Sequence, residues 1–557
     1  MSQINMKNKT TQLLLALIVT LVLAPAAFAA APGITGGAKT PTFNLTAQPS
    51  FITQPDGKMV YSWGYGCSTA PSGFLPMPGG QNLAGAQCTN MQVPGPTIIV
   101  TEGDTVTVNL TNNLPPVAGN TSILFPGFAV TSTGGAGSGL LTGEAGASNC
   151  ASTGGAAGCN TVKYTFTATT LGTHSYYSGT QGDLQVEMGM YGALIVLPDP
   201  SKDPAGMCPF HNTAAGVDPA DATGASLLAG GEADFRLSAS GAAYHHPGSC
   251  YDREYLFQFA EMDPVIHRQV EQQVAAKSNC TGCSLNVATE PYHPAYFLIN
   301  GRSMPDDMDP NYASEYPHQP YNGNPHMHPG ELVLLRIIGQ GRWQHPFHEH
   351  ANHVRILARD GNLILSSANV PQTNTPGLAG PLMFTTTTTP GVTMDGIFYY
   401  TAKGLNWDMY GHHDGGTTAA ASLPCTPDSN GYNTGNPLAL NYYEWCQDHN
   451  KPLQVHPFGD VAAGGPATLP DPTLFTNGTW YGGSPYLGPD ATVRAVGSTG
   501  TTPPSGTIGN SPTDEAGFAF MWHSHNEREI TTNNIFPGGM MMMMLVDSRE
   551  FVIDETN

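Results

Sequence analysis

The chain has 557 residues and a formal net charge of -22, from 20 Lys and Arg against 42 Asp and Glu. Charged residues make up only 11%, less than half the usual share, while 66 Gly and 47 Pro imply many turns. The acidic balance argues against nucleic acid or an anionic membrane surface as partner, and 40% hydrophobic residues still support a sizeable core.

The first 29 residues read as a secretory signal. Lys7 and Lys9 precede an apolar run from Leu13 to Leu23, and Ala27-Phe28-Ala29 is a small-x-small cleavage site. The run is short for a membrane span and lacks charged C-terminal flanks. No later segment is apolar enough to cross a bilayer, so the expected location is secreted, periplasmic or cell envelope. In such a compartment the ten cysteines are expected to pair, and sequence neighbours can do so throughout: Cys67 with Cys88, Cys150 with Cys159, Cys208 with Cys250, Cys280 with Cys283, Cys425 with Cys446. Sequence does not prove that connectivity, and Cys280-Thr281-Gly282-Cys283 has a redox or metal-binding alternative.

Next come strands separated by turns. Val93 to Val100 is a turn leading into a strand, and Glu102-Gly103-Asp104 is a second turn. Val106, Val108 and Leu110 then alternate on one face, as do Tyr164, Phe166 and Ala168. Gly192 to Leu197 closes the segment as a buried strand. Without helix patterns between them, these strands predict an all-β sandwich over 40–199. Residues 200–250 read as a Gly/Ala/Asp-rich linker. A second β segment spans 251–550 through Arg253 to Phe259, Tyr296 to Asn300 and Glu331 to Ile338. It carries a long loop-rich insertion at about 367–514, rich in Thr, Pro, Gly and Asn. Two domains fit this spacing better than three, although the insertion would allow a third if it folds alone.

The chemistry concentrates in histidine. His345-Pro346-Phe347-His348-Glu349-His350 lies in one strand segment, and His523-Ser524-His525 follows the alternating Phe518, Phe520 and Trp522. On a strand, residues i and i+2 share a face. Each HxH pair therefore aims two imidazoles one way, and two neighbouring strands would converge four nitrogens, a donor set suited to copper, zinc or nickel. His353, the pair His326 and His328, and His412-His413 in the insertion are weaker candidates. Met540 to Met544 reads either as a buried final strand or as a soft relay for Cu(I). Met188 and Met190 read as packing.

These motifs resemble the multicopper oxidase superfamily, built from cupredoxin domains. Val93-Pro94-Gly95-Pro96-Thr97-Ile98 with Glu102-Gly103-Asp104 is similar to the opening of its first domain. His345 to His350 resembles its HPxHxH signature, and Gly538-Gly539-Met540 its ending. The resemblance implies tandem cupredoxin-like Greek-key sandwiches, copper as cofactor and a small-molecule or metal-ion substrate if active. It implies metal ligands at His345, His348, His350, His523 and His525, with His345 at a type 1 position. Two-domain relatives often form homotrimers that share metal sites.

The departures are equally specific. Ser524 stands where the family has the type 1 Cys, and Glu529 where it has the second type 1 His. Both first-domain HxH pairs are missing, at Leu124-Phe125-Pro126 and Tyr177-Ser178-Gly179. Such a chain would hold one metal with three or four imidazoles, with Glu349 or Glu529 nearby, rather than the family's full cluster. Three functions remain open: a copper-binding protein without the four-electron reaction, an active mononuclear copper oxidoreductase, and a structural or interaction protein of the envelope.

Overall fold

The computed structural model describes residues 31–75, 85–204, 207–208, 241–370, 375–400, 428–429, 483–486, 492–493, 508–509, 517–547 and 553. The signal segment, most of the linker and insertion, His412, His413, Cys425 and Cys446 lie outside them. Period-two alternation decides the first sandwich. Its strands are β1 (Gly33–Thr35), β2 (Thr42–Thr53), β3 (Met59–Cys67), β4 (Gly73–Leu75), β5 (Ile98–Thr101), β6 (Thr105–Asn112), β7 (Thr131–Gly134), β8 (Thr161–Thr167), β9 (Gly172–Tyr177) and β10 (Tyr191–Leu197). They form two five-stranded sheets, ordered β9-β10-β5-β1-β4 and β3-β2-β6-β8-β7. In the second, Val106 faces Phe166 and Val108 faces Tyr164 across the β6–β8 ladder. These side chains, with Leu110 and Trp63, fill the core while the intervening threonines point out. β1 lies before residue 40, so the sandwich begins earlier than expected.

The second sandwich comprises β11 (Arg253–Met262), β12 (Tyr296–Ile299), β13 (His326–Met327), β14 (Leu332–Gly339), β15 (His345–Glu349), β16 (Val354–Arg359), β17 (Thr385–Thr388), β18 (Thr393–Tyr399), β19 (Gly517–Ser524) and β20 (Met541–Asp547). One sheet runs β12-β11-β14-β18-β16; the other runs β13-β20-β19-β15-β17. Phe257, Phe347, Phe520 and Trp522 pack between them. The boundary of the insertion at 367 is too early. β18 lies inside that range yet pairs with both β14 and β16 in mid-sheet. Its Thr-Met-Asp-Gly start hides a buried strand within a Thr-rich composition.

One helix was not anticipated. α1 (Pro264–Ala276) starts at Asp263, whose side chain accepts from the Val265 N–H, with Pro264 at the first helical position. Its buried Ile266 and Val270 pack into the core of the first sandwich. Among the described residues four disulfides join sequence neighbours, at Cys67–Cys88, Cys150–Cys159, Cys208–Cys250 and Cys280–Cys283. No described helix is long and apolar enough to cross a membrane.

Candidate metal centre

β15 and β19 run antiparallel, with Phe347 opposite Ser524, His348 opposite His523 and Glu349 opposite Trp522. This register places Phe347 and Trp522 in the core. His348 and His523 therefore share the opposite face of the sheet. The strand end carries His350 back to them, anchored by the Trp522 indole N–H donating to the His350 carbonyl at 3.1 Å.

One nitrogen from each of His348, His350 and His523 lies within 4.8 Å of the others, and all three residues are buried. The ring of His525 is 4.9 Å from that of His348, centroid to centroid, but His525 is exposed at the rim. The neighbours orient the rings. His523 Nδ1 is 2.7 Å from the Ser524 carbonyl, and His348 Nδ1 is 2.7 Å from Thr385 Oγ1. A neutral His523 that donates from Nδ1 presents a lone pair at Nε2, which is 3.2 Å from His350 Nε2. Burial first, then the surrounding imidazoles, push His348 down to about 4. Burial also lowers His523. Neutral imidazoles aimed at one point are a donor set for a borderline metal such as copper.

The positions that resemble the type 1 site are gathered too, but as an ion network with no thiolate among the described residues to hold a type 1 copper. His345 faces inward with Nε2 3.0 Å from Glu261 Oε2 and Nδ1 2.9 Å from Glu529 Oε2. The Ser524 hydroxyl and the Asn526 amide donate to the two oxygens of Glu529. Burial alone would lower His345, but the two carboxylates outweigh it and raise its pKa to about 9. Both ring nitrogens of His345 thus face carboxylates, whereas the group of converging nitrogens comprises His348, His350 and His523. Thiolate is also absent, since none of the described cysteines is free. Glu349 and Glu529 are not beside the imidazole group. Glu349 accepts from Thr386 Oγ1, inside the sandwich.

The network extends beyond what spacing could show. The Tyr292 hydroxyl bonds Glu187 at 2.6 Å and approaches Glu261 at 3.2 Å. Burial pushes Glu187 up to about 8. No motif marks Glu187, Glu261 or Tyr292; the only hint was an acid ending the apolar run of β11.

The remaining candidates are placed elsewhere. His326 Nδ1 pairs with Asp547 at 2.9 Å, and His353 meets Phe384 edge to face. His174 is packed against Phe128 and bonds the Thr170 carbonyl. In the first sandwich the Leu124 N–H donates to the Tyr177 carbonyl. Leu124, Tyr177 and Gly179 line an open pocket of about 510 Å³, together with Gly341 and Gly391 of the second sandwich. Nothing on that wall can ligate a metal as a histidine pair would.

Comparison with known proteins finds a family match within the first sandwich. Residues 77–201 match the family model described as multicopper oxidase. Solved structures with similarity include the multicopper oxidase mgLAC, 15% identical with a TM-score of 0.39, covering 91% of this chain and 86% of that one. The blue copper oxidase from Nitrosomonas europaea is 15% identical with a TM-score of 0.38, covering 92% of each chain. The copper nitrite reductase from the same organism is 19% identical with a TM-score of 0.35, covering 64% of this chain and 84% of that one. No curated protein matches the sequence. The multicopper-oxidase likeness implied by the motifs is thus found over residues 77–201, which make up most of the first sandwich.

Proposed function

We propose that this is an exported copper-binding protein of the multicopper-oxidase type that lacks a type 1 centre and does not run the four-electron reduction of oxygen. The observation that carries the reading is the convergence of His348, His350 and His523 within 4.8 Å. The acid-filled surroundings of His345 support the negative half. Copper bound at the imidazoles supplies a redox-active Lewis acid. The protein's own part is to orient His523 through the Ser524 carbonyl and His348 through Thr385 Oγ1, and to bury both with His350, with His525 exposed at the rim.

The test is copper stoichiometry with an EPR spectrum on the purified, reloaded protein. One nitrogen-ligated Cu(II) per chain is expected, without blue absorption, and His523→Ala should abolish it. Protein that stays copper-free after reloading overturns the metal reading. A blue thiolate band overturns the absence of a type 1 centre.

A further inference from the structure

The face of the sheet that carries the imidazoles continues in sulfur. Along the β19–β20 ladder Met541 lies opposite His523, Met542 opposite Trp522, Met543 opposite Met521 and Met544 opposite Phe520. Alternation sorts this run. Met542 and Met544 enter the core beside Trp522 and Phe520, and Met540 joins them. Met541, Met543 and Met521 fall on the other face, with His523 and His348.

Across four strands one row therefore reads Thr385, His348, His523, Met541. Directly opposite residues in antiparallel strands have Cβ atoms ~4.5–5.5 Å apart, within reach of a thioether. The neighbouring row holds Met521 and Met543. Met308 adds a fourth sulfur at the edge of β20, where its Sδ accepts the Met543 N–H at 3.3 Å. Burial is graded along this stripe: Met308, Met521 and Met543 are half-buried, and Met541, next to His523, is only 5% exposed. Core packing accounts for Met540, Met542 and Met544, and the half-buried Met308 lies against that same core, but Met521, Met541 and Met543 are in none of the packed clusters of described residues.

Thioethers are soft, uncharged donors that select Cu(I). We infer that Met521, Met541 and Met543, with Met308 at the edge, form a Cu(I)-capture face that adjoins the imidazole group and delivers the ion to it. Delivery is ligand exchange from sulfur to nitrogen, with no change of oxidation state. It rests on the copper reading of the imidazoles; capture does not.

The experiment loads the full-length mature protein anaerobically with Cu(I) against a chromophoric Cu(I) chelator and records the copper X-ray absorption spectrum. Wild-type protein is expected to take up Cu(I) with sulfur in its shell. The triple variant M521L/M541L/M543L keeps similar volume, a swap cores tolerate well. It is expected to lose the sulfur shell and to bind Cu(I) at least about tenfold more weakly, while keeping Cu(II) at the imidazoles. M543L alone, a milder change, is expected to weaken Cu(I) part of the way. An unchanged sulfur shell and affinity in the triple variant, or a wild-type shell of nitrogen only, overturns the inference. His523→Ala separates the two readings. Sulfur-bound Cu(I) that persists there supports capture even if the imidazoles prove to bind no Cu(II). Loss of both signals together overturns an independent capture face.

Discussion

His345 shows how one side chain can keep a motif and change its chemistry. Its spacing to His348 and His350 is that of a ligand signature, and the strand geometry puts it where that signature predicts. Its meaning depends on Glu261, 84 residues away, and on Glu529, which only the fold brings together. Local spacing therefore made the imidazole group legible, because i and i+2 on paired strands must share a face. It could not reveal an ion network built from separate strands. The network also makes a prediction. His345→Ala leaves Glu261 and Glu529 buried without their shared cation, and breaking a buried pair in this way costs ~3–5 kcal/mol. Urea unfolding of the variant should show a loss of that order. Its copper content should match wild type, because His345 is not part of the imidazole group. A stable variant that loses its copper would restore His345 as a ligand.

Among the elements, strands with clean alternation, such as β6 and β8, were readable, while β18 and α1 were not. β18 is hidden by its polar start, where Thr393 and Asp395 are buried in mid-sheet beside Gly396, a pattern that hydropathy alone scores as loop. α1 is short, with a weakly apolar face, inside an otherwise all-β chain. Its start was nevertheless written in Asp263-Pro264, a capping residue followed by a residue suited to the first turn. Asp263 also accepts from the His293 N–H at 2.8 Å, so one carboxylate fixes both the helix and the loop that carries Tyr292. Asp263→Ala is expected to cost at least the ~1–2 kcal/mol typical of a lost cap. Urea unfolding would read it, with Asp263→Asn as the variant that retains a capping oxygen and loses less. Equal losses in the two variants would show that the cap is not what the aspartate contributes.

At the scale of the whole molecule the sandwiches are joined by a mixed interface. Val93 and Tyr191 of the first pack on Met262, Tyr296 and Leu298 of the second. Buried polar contacts cross it as well. Thr173 donates to Asp395 at 2.6 Å, and the Asp263 N–H donates to Glu187 at 2.7 Å. Glu187 makes this interface sensitive to pH. Burial lifts it from the ordinary 4.5 to about 8 in the folded protein. A raised folded pKa contributes stability that is full below the unfolded value and is lost as pH rises through the folded one. His345, raised from 6.5 to about 9, acts in the same direction. On the acid side Glu331 opposes them, since Arg253 and His328 together outweigh its desolvation and lower it. Its contribution is present above the unfolded pKa and is lost as pH falls through the folded one. The urea midpoint is therefore expected to decline from about pH 5 to about pH 9. Glu187→Gln, which keeps the shape and cannot ionise, should flatten the part of that decline that lies between pH 4.5 and about 8, the unfolded and folded values of Glu187. An identical pH slope in wild type and variant would show that the proton on Glu187 does not couple to the union of the two sandwiches.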